Sequence, residues 1–142
     1  MKKILIAEHD ADMIRYLNLV AARFGFNAFV AETAAAAEAA LDQESFAFAI
    51  VSKSLYGRDF KKRLGRFADK LGGSNVVVVC GDDFEETARV STAQGVRACL
   101  TTPFEVVFIP DLLDEAATPA QGGTEPEDAP GGASAPEEDD LP

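Results

Sequence analysis

FAFAIVSKSLYGRD, residues 46–59, contains the strand around which the rest of this chain can be arranged. Its uncharged run from Ala47 to Val51 ends at Ser52, and polar residues follow directly. A short, continuous apolar run that is bounded by turn residues indicates a strand buried on both faces, as in a parallel sheet. Ligands of such sheets bind beyond the carboxyl ends of the strands. Ser52 occupies such an end, although a carboxylate would suit a metal or phosphoryl site better.

Four more apolar runs have the length of strands, and helical patterns separate them. The strand-like runs are residues 3–7, 27–31, 75–80 and 97–100. Apolar residues at helical spacing predict the intervening helices at 13–24, 34–41, 60–71 and 83–94. Strands that alternate with helices favour a parallel sheet covered on both faces, with right-handed crossovers. We therefore predict an α/β fold with a doubly wound five-stranded parallel sheet, in which a β-α unit is repeated five times.

Capping residues stand at the ends of these predicted helices. Thr33 can cap the second helix, and Asp83 with Glu86 resembles a capping box for the fourth. Asp59 is placed to cap the third helix. Gly25 follows the first helix, where glycine is common.

The segment after Pro103 departs from the repeating pattern. Residues 104–109 are largely apolar but have no helical spacing, and Pro110 fits the first turn of a helix that extends to about residue 117. One interpretation is a single kinked helix packed on the sheet. The other is a truncated final helix whose apolar strip is left for a partner.

Charge divides the chain into two parts. Residues 118–142 contain seven acids, no base and five of the seven prolines. Residues 1–117 hold all 13 bases and the other 17 acids, so their formal charge is only about −4. We predict one domain over residues 1–117. The acidic Pro/Gly-rich tail, residues 118–142, is predicted to be disordered because it has almost nothing apolar to bury.

Composition also limits the partners and the compartment. An acidic chain repels phosphate backbones, so nucleic-acid binding is not expected. No apolar run reaches the length of a membrane span, and the run after Lys2 and Lys3 is too short for a signal peptide. Cys80 and Cys99 lie in apolar strands outside any CxxC motif, which favours a reducing, cytoplasmic location.

The predicted third helix is strongly basic. It carries or adjoins six cations, namely Arg58, Lys61, Lys62, Arg63, Arg66 and Lys70. Such a row is most simply a solvated face. Alternatively, it docks an acidic partner, or the acidic tail of the chain folds back on it.

Three stretches of the body share a spacing with a known family. They are KILIAEHDADMIRYL at 3–17, FAFAIVSKSLYGRDF at 46–60 and GVRACLTTPF at 95–104. Together they resemble the receiver domain of bacterial two-component response regulators. The resemblance covers about residues 2–117 and implies the flavodoxin-like receiver architecture, with a cis peptide bond before Pro103.

By this resemblance, the pocket that takes up phosphate in the family has lost most of its charged residues. The two acids that hold Mg²⁺ in the family correspond to Glu8 and His9, and the phosphoacceptor aspartate corresponds to Ser52. The hydroxyl residue that signals phosphorylation corresponds to Cys80. The lysine that pairs with the phosphoryl group corresponds to Thr102.

A second position of the family's switch is also altered, because its aromatic residue corresponds to Cys99. Cys80 and Cys99 are therefore the switch-equivalent pair. Both are expected to be buried small side chains on neighbouring strands. A redox-linked disulfide between them is the alternative.

These substitutions predict a degenerate receiver, or pseudo-receiver. A serine hydroxyl cannot form the acyl phosphate that a carboxylate forms, and imidazole is a poor ligand for Mg²⁺. We expect no catalytic residue, no metal and no cofactor. The alternative is an active phosphorelay receiver with a non-standard acceptor, Glu8 or Asp59.

Without a phosphoacceptor, the chain is expected to work as a stand-alone signalling domain through protein–protein contacts, and not as an enzyme. A small enzyme or nucleotide binder is not favoured, because no GxGxxG or GxxxxGK[ST] loop follows a strand and no nucleophile–histidine pair is evident. The family's usual surface is formed by the fourth helix, fifth strand and fifth helix. A signalling partner or a self-dimer is expected there, on Phe84, Arg89, Arg97, Val106, Val107 and Phe108.

Overall fold

One parallel sheet organises the protein, for which a computed structural model describes residues 2–103 and 105–117. The order of strands across the sheet is β2-β1-β3-β4-β5. This order confirms the predicted fold class; the predicted disorder of the tail lies outside the described residues. The strands are β1 Lys2–Ala7, β2 Phe26–Ala31, β3 Phe48–Ser52, β4 Val76–Cys80 and β5 Ala98–Thr101.

Five helices cover the two faces of the sheet. One face carries the second, third and fourth helices over an apolar cluster that includes Leu41, Leu64 and Phe67. The other carries the first and fifth helices over a cluster that includes Leu17 and Leu113. None of the described helices is both long and apolar enough to cross a membrane. The helices are α1 Ala11–Arg23, α2 Ala34–Gln43, α3 Phe60–Leu71, α4 Phe84–Ala93 and α5 Ile109–Ala117.

Strand β3 lies at the centre of the sheet, between β1 and β4. Every one of its five residues is buried, as is every residue of β4. Alternate side chains enter opposite clusters, with Ala49 and Val51 in one and Phe48 and Ile50 in the other. Because both faces of β3 are buried, every side chain of the strand has to be uncharged, as the sequence predicts.

The predicted caps are only partly formed. Thr33 Oγ1 accepts a hydrogen bond from Ala36 N at 3.0 Å, and Gly25 has the positive φ of +81° that glycine tolerates. Asp59 and Asp83 precede α3 and α4, but neither side chain accepts a bond from a helix amide. The predicted capping box is therefore wrong.

The carboxylate of Asp83 is engaged elsewhere. Lys53 Nζ, in the short 3₁₀ helix Lys53–Leu55 after β3, lies 2.6 Å from Asp83 Oδ2. The hydrogen bond from Lys53 lowers the pKa of Asp83. The Asp83 carboxylate therefore pairs with Lys53 and does not cap α4. This ion pair links the loops that follow β3 and β4.

The segment after β5 has features of both predicted arrangements, a helix packed on the sheet and an exposed apolar strip. A short 3₁₀ helix, Glu105–Phe108, runs directly into α5, where Ile109 and Leu113 are buried against the sheet. Val107 and Phe108 nevertheless remain 63% and 52% exposed. The segment is therefore packed on the sheet and also leaves an apolar surface.

Replacing Leu64 by Ala should lower the free energy of unfolding by about 2–5 kcal/mol, because Leu64 is fully buried between α3 and the sheet. Leu19→Ala on α1 is the matched control. Leu19 is 68% exposed, so its loss should cost no more than about 0.5 kcal/mol. Urea unfolding of the two variants measures the difference, and equal costs would contradict the packing of α3.

Candidate functional site

Four strands end at one edge of the sheet and enclose a pocket of about 420 Å³, here called the strand-end pocket. The parallel arrangement brings these ends together, because the strands all run in the same direction. All five predicted pocket residues line the strand-end pocket. Glu8 and His9 follow β1, and the other three end or follow β3, β4 and β5, namely Ser52, Cys80 and Thr102. The lining consists of Glu8, His9, Asp10, Asp12, Met13, Tyr16, Ser52, Ser54, Val79, Cys80, Gly81, Thr102, Pro103 and Val106.

Glu8 is the buried carboxylate of the strand-end pocket, with only 4% of its surface exposed. Its Oε2 atom accepts hydrogen bonds from the backbone N–H groups of His9 at 2.9 Å and Asp10 at 3.0 Å. Two amide donors thus satisfy this buried oxygen. Glu8 therefore also holds the turn between β1 and α1, where Asp10 caps the helix by accepting from Met13 N.

A chain of hydroxyls joins His9 to the end of β3. His9 Nε2 lies 3.0 Å from Ser54 Oγ, and Ser54 Oγ lies 2.9 Å from Ser52 Oγ. The structure thus contains a serine–histidine contact, which corrects the expectation that the chain has no nucleophile–histidine pair. Ser54 stands two residues beyond the strand end, and the 3₁₀ turn at that point brings its hydroxyl back towards Ser52.

This contact falls short of a nucleophilic dyad. Among the described residues, no hydrogen-bond partner orients the Nδ1 atom of His9, and the residue is exposed. A base in such a dyad is normally fixed by a third group, which sets its tautomer and direction. The chain from His9 to Ser52 is better described as a hydrogen-bonded wall of the pocket.

Ser52 itself ends β3 and is 5% exposed. Its hydroxyl contacts Ser54, and Lys53 beside it turns to Asp83. A neutral hydroxyl suits this place, because a carboxylate buried without a cation or several donors would be destabilised. No lysine or arginine is among the residues that line the strand-end pocket in the described part of the chain.

Thr102 forms the opposite wall, where β5 ends. Its backbone N–H donates to Cys80 O at 2.9 Å, and the Thr102–Pro103 peptide bond is cis. The preceding Thr101 donates from both its N–H and its hydroxyl to Glu105 Oε1, at 2.8 and 3.0 Å. The loop is thus held by hydrogen bonds and presents a neutral residue to the pocket.

The two cysteines are adjacent free thiols on β4 and β5. Cys80 Sγ and Cys99 Sγ lie 3.7 Å apart. Burial raises the pKa of the Cys80 thiol to about 12, and burial also raises the pKa of Cys99. Both therefore stay protonated near neutral pH, where a thiol is a weak nucleophile. The predicted placement on neighbouring strands is confirmed, and the predicted alternative of a disulfide is not formed here.

Three carboxylates, Glu8, Asp10 and Asp12, line the strand-end pocket, and Arg15 on α1 lies 3.6 Å from Asp12. Within residues 2–103 and 105–117, no three His, Cys, Asp or Glu side chains are grouped so as to hold a metal ion. Asp59 does not line the pocket and stands at the start of α3. Tyr16, which donates its hydroxyl to Val106 O at 2.9 Å, forms an apolar wall that sequence reasoning missed.

The predicted interaction surface contains residues in quite different environments. Val107 and Phe108 are exposed, and so is Arg89 on α4. Phe84 is half-buried at the start of α4. Val106 packs partly into the cluster beneath α1 and α5.

Arg97 is the least available of these residues. Its Nε atom donates to Ser74 O at 2.6 Å and its Nη1 atom to Glu115 Oε1 at 3.0 Å. The guanidinium also lies 6.0 Å from the ring centre of Phe48. Its side chain thus joins β5 to α5 at the other end of the sheet.

Comparison with known proteins gives a likeness in structure and none in sequence. No protein-family model matches the chain, and no curated protein matches it in sequence. A response regulator receiver domain from Methanospirillum hungatei, described as CheY-like, has a TM-score of 0.68 and 22% identity over 82% of this chain and 96% of its own. A receiver domain from Clostridium thermocellum has a TM-score of 0.68 at 13% identity, over 82% and 94% of the two chains.

A third similar structure is a response regulator from Burkholderia pseudomallei, described with a phosphorylated aspartic acid and a calcium ion. Its TM-score is 0.68 at 20% identity, over 82% of this chain and 69% of that one. These likenesses concern the course of the backbone, because the identities are low. The described part of the chain therefore has the fold of a response regulator receiver domain.

Proposed function

We propose that this protein is a receiver-like signalling module that takes up no phosphoryl group and acts through protein–protein contacts. The receiver fold is the starting point of the proposal. Receiver domains of response regulators act in signalling through contact with other signalling proteins. The specific departure lies in the strand-end pocket, where neutral side chains replace the groups that the family's reaction needs.

The observation that carries the proposal is Ser52 at the end of β3. The receiver reaction forms an acyl phosphate on a carboxylate at this place, and a hydroxyl cannot form that bond. Phosphoryl transfer also depends on neutralising the negative charge of the transferred group. The strand-end pocket carries Glu8, Asp10 and Asp12 without a lysine or arginine, so it would repel a phosphoryl donor.

The alternative acceptors are less well placed. Glu8 is buried, and its Oε2 atom already accepts two backbone hydrogen bonds that hold the β1–α1 turn. Phosphorylation on Oε2 would break both bonds, and Oε1 belongs to a side chain that is 4% exposed. Asp59 is exposed but lies outside the strand-end pocket.

The contact surface is proposed to lie beside α4, β5 and α5. Its apolar part is Val107 with Phe108, which are large and exposed in the 3₁₀ helix before α5. Single exposed apolar residues are ordinary on protein surfaces, but two adjacent ones beside a sheet edge are suited to burial by a partner. The occupant is a signalling protein or a second copy of this chain.

The setting of this function is proposed to be the bacterial cytoplasm. Protonated thiols 3.7 Å apart without a bond between them suit a reducing compartment. The receiver family implied by the resemblance is a bacterial signalling family.

Incubation with acetyl phosphate and Mg²⁺ should leave the intact mass of the protein unchanged, because Ser52 cannot form an acyl phosphate. Mass spectrometry under native and acid-quenched conditions measures this. The matched control is the variant His9→Asp/Ser52→Asp/Thr102→Lys. It should gain one phosphoryl group, because the three positions line one pocket whose backbone has the receiver fold.

The masses of the wild type and the triple variant distinguish two ways in which the proposal could be wrong. Uptake by the wild-type protein that is lost in Glu8→Gln or Asp59→Asn would establish an active receiver with an altered acceptor. If neither the wild type nor the triple variant is modified, the geometry of the strand ends differs from that of an active receiver.

The variant Val107→Ser/Phe108→Ser should weaken association with a partner or a second copy on the order of tenfold, because it removes exposed apolar area that binding would bury. Sedimentation velocity measures self-association, and titration with the purified partner measures hetero-association. Leu19→Ser on α1 is the control, since Leu19 is equally apolar and 68% exposed. Equal losses in both variants would contradict a contact beside α5.

A further inference from the structure

The six cations at and before α3 fall into two groups. Three of them are neutralised by α2: Arg63 and Arg66 contact Glu38, Arg66 also donates to Asp42, and Lys70 lies 4.0 Å from Asp42. These contacts fix α3 against α2. They consume the two carboxylates that α2 presents to this surface.

The other three cations have no such neighbours. Arg58, Lys61 and Lys62 are exposed and have no ion pair or side-chain hydrogen bond with any described residue. They lie within five positions, at the last turn before α3 and in its first turn. This part of α3 therefore keeps an uncompensated positive charge.

Two of these cations line a groove between α3 and α4, here called the α3–α4 groove. Its volume is about 590 Å³. Its apolar surface comes mainly from the half-buried Val90, since Phe60 is only 3% exposed. Glu86 is the one carboxylate among the described residues of the lining. The complete lining is Lys53, Gly57, Arg58, Phe60, Lys61, Glu86, Thr87 and Val90.

The hydroxyl of Thr87 is an independent sign of an incomplete site. Thr87 is 1% exposed and lines the α3–α4 groove, and its Oγ1 atom has no hydrogen-bond partner among the described residues. A buried hydroxyl without a partner is costly. A ligand with carboxylate or carbonyl oxygens could satisfy it while also pairing with the cations at the rim.

The rest of the body is acidic and would repel an anionic segment. Outside residues 58–70, residues 1–117 contain 15 acids and only seven bases. Residues 58–70 contain six bases and two acids. An acidic segment is therefore attracted to α3 and repelled from the rest of the surface.

The chain supplies such a segment in residues 118–142, with seven acids and no base. It follows α5, whose end lies beside the start of β1, because Lys2 Nζ donates to Ala116 O at 3.4 Å. The α3–α4 groove lies about 20 Å away along the sheet, at the opposite end of the strands and on the opposite face from α5. A segment of 25 residues can reach at most about 80–90 Å, so its length is sufficient.

We propose that the α3–α4 groove binds the acidic residues 118–142 of the same chain. Carboxylates of the tail pair with Arg58, Lys61 and Lys62, and part of the tail lies over Val90. The proposal is independent of phosphoryl chemistry and of the surface beside α5. In this proposal, the basic helix α3 and the acidic tail of the same chain bind each other.

Carbodiimide cross-linking of the full-length protein tests this pairing, because the reagent joins only carboxylates and amines that are already in contact. At low ionic strength, peptide mapping should find Lys61 and Lys62 linked to tail acids within a single chain. Lys70, already beside Asp42, is the internal control and should link at least about fivefold less. The yield should not change on dilution and should fall on the order of tenfold in 1 M salt.

Charge variants make the test specific to the α3–α4 groove. Arg58→Gln/Lys62→Gln keeps Lys61 as the reporter and should lower its yield on the order of fivefold. Arg15→Gln/Arg23→Gln removes the same charge from α1 and should leave the yield unchanged. Glu86→Gln removes the one opposing carboxylate and should raise the yield.

Three results would overturn the proposal. Links that form only between chains and fade on dilution would mean that a second copy occupies the groove. Equal yields at Lys61 and Lys70, or equal effects of the two double variants, would mean that the attraction is unspecific. The third result needs a full-length variant in which the seven tail acids are replaced by Gln or Asn. If added synthetic peptide 118–142 reacts at Lys61 of that variant, but the tail of the wild-type protein forms no links, the groove binds an acidic partner instead.

Discussion

The burial of β3 on both faces is the constraint on which the rest of the structure depends. A central strand without solvent contact must be apolar throughout, and it must end abruptly where the sheet meets water. Its neighbours β1 and β4 run in the same direction, so their last residues meet at one edge. The location of the strand-end pocket thus follows from packing, whatever side chains fill it.

The side chains that do fill the pocket form a consistent electrostatic set. A buried carboxylate needs donors, and Glu8 receives two from its own backbone turn. The remaining strand ends present Ser52, Cys80 and Thr102, which need no counter-charge. Because Lys53 is held by Asp83, no cation is drawn into the pocket. A carboxylate in place of Ser52 would be left uncompensated, because no lysine or arginine lines the pocket in the described part of the chain.

Sequence reasoning predicted the elements well because each depends on local patterns. The run before Ser52, the spacing of Leu64 and Phe67, and Gly25 after α1 all act over a few residues. The wrong predictions concern side chains whose hydrogen-bond or ion-pair partners are distant in the sequence. Asp83 was assigned to a helix cap but contacts Lys53, and Ser54 contacts a histidine that is 45 residues away. Such choices depend on how loops meet in space, which residue spacing does not encode.

The adjacent thiols on β4 and β5 have a consequence for how the protein responds to oxidants. The thiolate, and not the thiol, is the form of cysteine that reacts. Burial raises the pKa of both Cys80 and Cys99, although their sulfur atoms lie only 3.7 Å apart. The same burial that completes the core thus protects the pair from oxidation.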